Sequence, residues 1–187
     1  SWGQPRRLRD VRSFLGLCSY YRRFVPDFAT IAAPLHALTH KGRVFVWTQE
    51  CQTAFDELKR RLTESPVLSL PRDGCRYVID TDASDHGIGA VLQQEQDGEE
   101  RVIAYASRLY SDAEKRYCVT RKELLAVVYF LRYFRQYLLG AEFLVRTDHA
   151  ALQWLRKTPQ PIGQQGRWLE ILEGFQLIVQ HRPGRLH

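Results

Sequence analysis

The order of the predicted elements indicates an α/β fold: a five-stranded mixed sheet with flanking helices, preceded by a small helical region. Three observations lead to this fold class. Apolar residues recur at helical spacing over about the first 65 positions. The stretch "SPVLSLPRDG" (65–74) then breaks the period with two prolines and a glycine. Beyond it, strand and helix patterns follow in the order β-β-β-α-β-α-β, which is typical of a mixed sheet covered by helices.

Three helices are predicted before that boundary. In the first, Leu8, Val11, Leu15 and Cys18 follow a helical period. The predicted helices and their end signals are 8–24 before Pro26, 28–42 between a capping Asp27 and a closing Gly42, and 49–64 after a capping Thr48.

Five strands and four helices are predicted after the boundary. The dipeptide Asp97-Gly98 is a hairpin signal between the second and third strands. The helix over 120–140 is apolar on nearly every side, so we expect it to be the central buried helix. The predicted strands are 75–83, 88–95, 101–107, 142–148 and 176–182, and the predicted helices are 111–118 (with Ser111 as its cap), 120–140, 149–157 and 166–175.

The charge and composition of the 187 residues restrict the class of protein. The net charge is +6, and the excess lies in residues 1–72, which hold 12 Lys/Arg and 6 Asp/Glu. Such a basic segment suits a polyanionic partner, although from charge alone solvated helix faces without a partner are the preferred explanation. The four cysteines form no CxxC pair, so we interpret them as reduced core thiols. No membrane span or signal peptide is predicted, and the absence of Met indicates a piece of a longer polypeptide.

Carboxylates on a buried strand are the unusual feature of "YVIDTDASDHGIGAV" (77–91). Alternation places Asp80 and Asp82 on the same face as Val78, where unbalanced negative charges are costly. Glu123 near the start of the central helix and Asp148 at the end of the fourth strand add two acids at element ends. Converging carboxylates form a site for hard divalent cations, so we expect metal ions to balance these charges.

Each of these acids also has a structural explanation. Thr120 and Glu123 fit a capping box, in which the glutamate bonds back to the amide of Thr120. Asp148 fits a helix N-cap, and Asp85 fits a turn. These alternatives stay open at the level of single residues, but they do not explain why the acids fall at strand and helix ends together.

Several longer motifs resemble one known family. "TDAS" (81–84), "TRKELLAVV" (120–128) and "TDHAAL" (147–152) resemble the ribonuclease H domain of gypsy-class LTR-retrotransposon reverse transcriptases. The upstream "VRSFLGLCSYYRRFVPDFATIAAPL" and "FVWTQECQTAFDELKRRLTESPVLSLP" resemble the thumb and linker that precede that domain. The resemblance covers essentially the whole chain in the family's order.

The resemblance implies a ribonuclease H-like fold over residues 71–187 and a helical thumb or linker region over 1–70. It also implies cleavage of the RNA strand of an RNA–DNA hybrid by two Mg²⁺ ions, for which Mn²⁺ can substitute. The family's first three catalytic, metal-binding acids fall on Asp82, Glu123 and Asp148, whereas Asp80 is not expected to be catalytic.

The family's fourth acid follows a Pro-Gly turn, here at Pro183-Gly184, and would come just after His187. We therefore expect this chain to be weakly active or inactive by itself. Nothing resembles the Tyr-x-Asp-Asp motif of the polymerase, so the chain is not expected to copy a template.

Nucleic-acid contacts and partners are less sharply predicted. Candidate phosphate contacts on the thumb-like helices are Arg22, Arg23, Lys59, Arg60 and Arg61, the last three of which also fit a solvated helix face.

The expected partners are an RNA–DNA hybrid and the rest of the reverse transcriptase, without a membrane; whether the chain forms a homodimer stays open. The family implies a cytoplasmic particle, with the nucleus as a second location. The alternative function is an inactive or domesticated module that binds nucleic acid or protein.

Overall fold

The computed structural model describes residues 3–20, 22, 25–63, 68–147, 149–157 and 163–181. Its helices are α1 (Leu8–Tyr20), α2 (Phe28–Leu38), α3 (Gln49–Thr63), α4 (Val119–Tyr133), α5 (Arg135–Leu138), α6 (His149–Lys157) and α7 (Gln164–Glu173). Its strands are β1 (Tyr77–Ala83), β2 (Gly87–Gln96), β3 (Glu99–Leu109), β4 (Phe143–Thr147) and β5 (Leu177–His181). In the described part of the chain, no helix is long and apolar enough to cross a membrane.

The strands form one mixed sheet in the order β3-β2-β1-β4-β5. The three sequential strands pair antiparallel, and β4 and β5 join them in parallel. The predicted hairpin turn is confirmed, because Asp97 and Gly98 have φ values of 53° and 78°. The five-stranded mixed sheet with flanking helices is therefore confirmed.

Helix α4 packs against one face of this sheet as its central buried helix. Leu124 and Phe130 of α4 are completely buried, as are Ile79 of β1, Leu92 of β2 and Val145 of β4. These side chains belong to one apolar cluster, in line with the nearly all-apolar pattern of this helix.

The helical region has its own apolar cluster and also contacts the sheet. Phe14 of α1 and Phe55 of α3 pack edge to face, with their ring centroids 4.7 Å apart. The backbone N–H of Ala29 at the start of α2 donates to Ser107 Oγ of β3 at 2.7 Å, and Arg22 donates to the Ser107 carbonyl oxygen at 2.6 Å. The sequence left open whether these helices pack on the sheet; in the structure α2 lies against β3.

The ends of the first two helices differ from the prediction. α1 is Leu8–Tyr20, and residues 21, 23 and 24 of the predicted helix lie outside the described residues. The carbonyl oxygen of Arg22 accepts the N–H of Val25 at 3.1 Å, just before Pro26. Asp27 is the N-cap of α2 but makes no side-chain cap bond, since its backbone is left-handed (φ 54°). α2 ends at Leu38, before Gly42. The predicted cap of α3 is confirmed by a 3.2 Å bond from the Cys51 N–H to Thr48 Oγ1.

Two predicted helices of the sheet domain are shorter than expected. The helix predicted over 120–140 is divided into α4 and α5 at Phe134, and this break allows both Phe134 and Leu138 to be buried. The helix predicted over 111–118 is a single 3₁₀ turn at Glu114–Arg116. Its N-cap is Ala113, so the prediction that Ser111 is the cap is wrong. Ser111 nevertheless bonds to the turn: its Oγ accepts the Glu114 N–H at 3.3 Å, and its own N–H donates to the Glu114 carboxylate at 2.8 Å.

Gly87 stands where β2 and β3 approach too closely for a side chain. A Cβ added there would lie 2.3 Å from the backbone carbonyl oxygen of Arg108. We expect Gly87→Ala to lower the free energy of unfolding by about 3 kcal/mol, because backbone must move to relieve the overlap. Urea unfolding measures the change. The matched control is Gly16→Ala in α1, where nothing lies within 4 Å and a gain of about 0.5 kcal/mol is expected; equal effects of the two substitutions would contradict the prediction.

Candidate active site

Asp82 lies where β1 approaches its end, with its side chain exposed. Its register partner on β2 is Gly89. The chain turns directly afterwards, because Ser84 Oγ accepts the N–H groups of His86 at 3.3 Å and Gly87 at 3.2 Å. This turn fixes the end of β1, and it leaves the carboxylate of Asp82 accessible.

Glu123 is the fifth residue of α4, one position further into the helix than predicted, because α4 begins at Val119 and not at Thr120. The helix begins at Val119 with Cys118 as its N-cap, so Thr120 lies inside the helix. The capping-box interpretation of Thr120 and Glu123 is therefore wrong, because a capping box requires Thr120 to be the N-cap. The capping box therefore no longer competes with a catalytic role for Glu123.

Tyr110 follows β3 and bonds to the turn after β1. Its hydroxyl donates to the Ser84 carbonyl oxygen at 2.8 Å. Burial, followed by the carboxylates of Glu123 and Asp82 and then of Asp85 and Glu114, raises the pKa of Tyr110 to about 12. That Asp82 and Glu123 share one site stays a prediction. Sequence reasoning did not identify Tyr110, because no motif distinguishes it from other strand-end tyrosines.

The raised pKa of Tyr110 predicts a specific loss of stability at alkaline pH. The folded-state pKa exceeds the ordinary value of about 10, so this stabilisation is complete below about pH 10 and is lost as the pH rises toward about 12. We expect the native chain to lose about 2 kcal/mol more unfolding free energy than Tyr110→Phe over that range. Urea unfolding at several pH values measures the difference, and parallel pH profiles of the two proteins would contradict it.

The third predicted acid, Asp148, lies outside the described residues, directly after β4. The register pairs Asp80 of β1 with Arg146 of β4, so the ends of these two parallel strands lie side by side. Within the described ranges, no three His, Cys, Asp or Glu side chains come together in a way that could hold a metal ion. The three-acid set stays a prediction.

Asp80 is not balanced by metal, which corrects the expectation for the strand carboxylates. Arg146 donates to its two oxygens at 2.6 Å and 3.0 Å, and Gln93 donates to it at 2.7 Å. Arg146 also donates to Glu100 on β3 at 2.7 Å and 2.9 Å. The buried carboxylate of Asp80 is thus compensated by a guanidinium and an amide, which agrees with the expectation that it is not catalytic.

The predicted phosphate contacts already have protein partners where they are described. Arg22 is half-buried against β3, and its guanidinium carbon lies 5.3 Å from the centroid of the Phe28 ring. On α3, Arg60 and Arg61 both contact Glu57, at 2.6 Å and 2.8 Å. Lys59 lies 3.7 Å from Asp56, and Arg23 lies outside the described residues. Their role in binding nucleic acid stays a prediction.

Sequence reasoning missed a second basic cluster at the start of α1. "RRLRDVR" places Arg6 and Arg7 just before α1 and Arg9 and Arg12 in its first turns, and all four are exposed. The nearby Asp10 accepts the backbone N–H groups of Arg6 and Arg7, each at 3.1 Å. Four arginines in seven residues are the sequence signal that could have identified this surface.

The sheet order and the acids at the end of β1 and near the start of α4 define a ribonuclease H-like domain. Residues 47–145 match the family described as "RNase H-like domain found in reverse transcriptase", and this match covers more than half of the chain. The chain belongs to this family.

Curated relatives are retroelement polyproteins. The chain is 37% identical over 187 residues to the retrovirus-related Pol polyprotein from transposon 297 of Drosophila melanogaster. The aligned region covers 99% of this chain and 17% of that protein. It is 32% identical to the transposon Tf2-3 polyprotein of Schizosaccharomyces pombe, over 98% of this chain and 14% of that protein. The chain thus spans less than a fifth of the length of these relatives.

Two solved structures of foamy viral protease-reverse transcriptase are similar to nearly the whole chain. The complex with dsDNA has a TM-score of 0.80 at 26% identity, covering 100% of this chain and 40% of the foamy viral chain. The complex with an RNA/DNA hybrid has a TM-score of 0.79 at 26% identity, covering 98% of this chain and 26% of that one.

Proposed function

We propose that this chain is the ribonuclease H part of a gypsy-class retrotransposon reverse transcriptase, and that it cleaves the RNA strand of RNA–DNA hybrids. One observation carries the proposal: residues 47–145 match the ribonuclease H-like domain of reverse transcriptases, and within that match Asp82 is exposed near the end of β1. An exposed carboxylate at the end of a strand is suited to bind a hard cation together with further carboxylates, and Glu123 on α4 is proposed as one of them.

Asp82, Glu123 and Asp148 are the residues that would hold divalent metal, with Mg²⁺ preferred for its oxygen ligands and Mn²⁺ as a substitute. Two such ions activate water and stabilise the leaving oxygen in phosphodiester hydrolysis. Tyr110 holds the turn after β1 through Ser84, so it fixes where the Asp82 carboxylate stands. Because the family's fourth acid would come after His187, we expect the chain as it stands to cleave weakly or not at all.

The helical region is proposed to hold the hybrid. Residues 1–70 would act as a thumb or linker and residues 71–187 as the nuclease, within a larger reverse transcriptase polypeptide. The exposed arginines of α1 supply positive charge for phosphate contacts, in addition to Arg22, Arg23, Lys59, Arg60 and Arg61. Relatives named as Pol polyproteins support a larger parent protein. A cytoplasmic particle, with the nucleus as a second location, stays a prediction. Light scattering of the purified chain tests for a homodimer.

The test is a comparison of substrates. The chain, extended by the native residues that follow His187, is incubated with three duplexes of one sequence: an RNA–DNA hybrid, an RNA duplex and a DNA duplex, with Mg²⁺ or with EDTA. We expect cleavage of only the RNA strand of the hybrid, and only with Mg²⁺. Binding of the hybrid without cleavage would instead support the inactive binding module.

A further inference from the structure

Two threonine hydroxyls are buried at the ends of β1 and β4 without a hydrogen-bond partner among the described residues. Thr81 is 7% exposed and Thr147 is 2% exposed, and Oγ1 of each is shielded from solvent. Burying a hydroxyl without a hydrogen bond is costly, whereas valine has nearly the same shape and no polar atom. Two such hydroxyls in one small domain therefore require a physical explanation.

The two threonines are neighbours in the sheet. β1 and β4 run parallel, and their paired residues end at Asp80 and Arg146. Thr81 and Thr147 are the next residue of each strand, so they lie side by side. Side chains alternate across a strand, so both hydroxyls lie on the face opposite Asp80 and Arg146, which carries the apolar cluster packed against α4.

A direct contact joins the two strands on the other face of the sheet. There Arg146 donates to the carboxylate of Asp80 at 2.6 Å and 3.0 Å. Thr81 and Thr147 stand one residue further along, and their hydroxyls do not bond to each other. A buried water molecule typically joins two to four polar groups, so one water between the two hydroxyls would satisfy both.

Each threonine directly precedes an acid of the proposed active site. Thr81 comes before Asp82, and Thr147 comes before Asp148 in the sequence. Because of the alternation along β1, Thr81 is buried while Asp82 is exposed. A bridge between the two hydroxyls therefore fixes the separation of the two strand ends from which these acids follow.

We propose that Thr81 and Thr147 together bind one internal water molecule, and that this water sets the spacing of the strand ends that lead to Asp82 and Asp148. The two threonines are positioning residues, since neither belongs to the acids that would act on the substrate. The water site depends on the two hydroxyls alone, whereas the positioning role rests on the proposed function.

The first experiment is a double-mutant cycle in the present chain, measured by urea unfolding. Thr81→Val and Thr147→Val, alone and together, remove the hydroxyls and keep the side-chain shape. We expect each single variant to lose stability and the double variant to lose less than the sum, with a coupling of about tenfold in the unfolding equilibrium constant. The control is Thr53→Val on the exposed side of α3, which should show no coupling with Thr81→Val. Additive effects of the two buried substitutions would overturn the proposal.

The water itself is counted in the same proteins. Magnetic relaxation dispersion of isotope-labelled water oxygen reports the number of long-lived internal waters. We expect the double valine variant to hold about one fewer than the native chain. An equal count would overturn the water site even if the two hydroxyls are coupled, because they would then bond to each other directly.

The second experiment tests the positioning role with the chain extended past His187 and an RNA–DNA hybrid. We expect Thr81→Val to lower kcat by about tenfold and to leave KM unchanged, because a displaced acid affects the chemical step more than substrate binding. Thr81→Ser keeps the hydroxyl and should retain the native kcat. A native kcat in Thr81→Val, or an equal loss in the serine variant, would overturn the positioning role.

Failure of this inference and failure of the proposed function give different results. If the native extended chain cuts the hybrid and the valine variants cut it equally well, the nuclease stands and the positioning role fails. If the native extended chain leaves every hybrid intact, the proposed nuclease fails and the positioning role with it. In that case the coupling and the water count still decide whether Thr81 and Thr147 share a water molecule.

Discussion

Asp82→Asn and Glu123→Gln, each in the extended chain, are expected to lower the rate of hybrid cleavage by about three orders of magnitude. The reason is that each substitution removes a charged oxygen that is proposed to bind metal, and metal would supply several kcal/mol of transition-state stabilisation in phosphodiester hydrolysis. Asp82 is exposed, so the unfolding free energy should change by less than about 0.5 kcal/mol. Single-turnover cleavage of a labelled RNA strand measures the rate.

Asp80→Asn is the matched control, two residues away on the same strand face. Asp80 bonds to Arg146 and Gln93, so its substitution should reduce stability but leave cleavage per folded molecule unchanged. Circular dichroism gives the folded fraction for that correction. Equal loss of cleavage in Asp80→Asn and Asp82→Asn would contradict the separation of a structural from a catalytic carboxylate.

Arg146→Met is expected to lower the free energy of unfolding by about 3 kcal/mol. It removes the guanidinium that compensates Asp80, whose side chain is only 9% exposed, and leaves a buried carboxylate without a counter-charge. Burial opposes the charge of Arg146, but its bonds to Asp80 and Glu100 outweigh this and raise the pKa of the guanidinium. Urea unfolding at neutral pH measures the loss.

Two further variants test whether the uncompensated charge of buried Asp80 causes this loss of stability. Adding Asp80→Asn to Arg146→Met should recover much of the loss, because both members of the pair are then uncharged. Arg72→Met removes an exposed ion pair with Asp97 and should cost less than about 0.5 kcal/mol. A similar cost for Arg72→Met and Arg146→Met would show that burial is not the reason.

The spacing of apolar residues along the sequence was enough to predict the five-stranded sheet and its central helix, α4. The strand patterns, the Asp97-Gly98 turn and the apolar surface of α4 each depend on local sequence, and all of them are observed. Helix ends were predicted less well. α2 ends at Leu38, before the predicted Gly42. The bond from Arg22 to Ser107, which is 85 residues away in sequence, was not predicted either, because no local signal encodes such a contact.

In the candidate site, too, the features that local sequence motifs encode were predicted. The contacts between residues far apart in sequence were not. The positions of Asp82 and Glu123 at element ends could be predicted from their motifs. The role of Asp80 could not, because its partner Arg146 is 66 residues away and only the parallel pairing of β1 with β4 brings the two together. Tyr110 was missed for a similar reason, since its bond to Ser84 spans 26 residues.

The measurement that tests the central claim most directly is hydrolysis of a labelled RNA–DNA hybrid in Mg²⁺, by this chain and by the chain extended past His187, side by side. The proposed nuclease predicts that the extended chain cuts the RNA strand and that the present chain cuts weakly or not at all. A folded, extended chain that binds the hybrid and leaves the RNA intact would contradict the claim that Asp82 and Glu123 belong to a working nuclease.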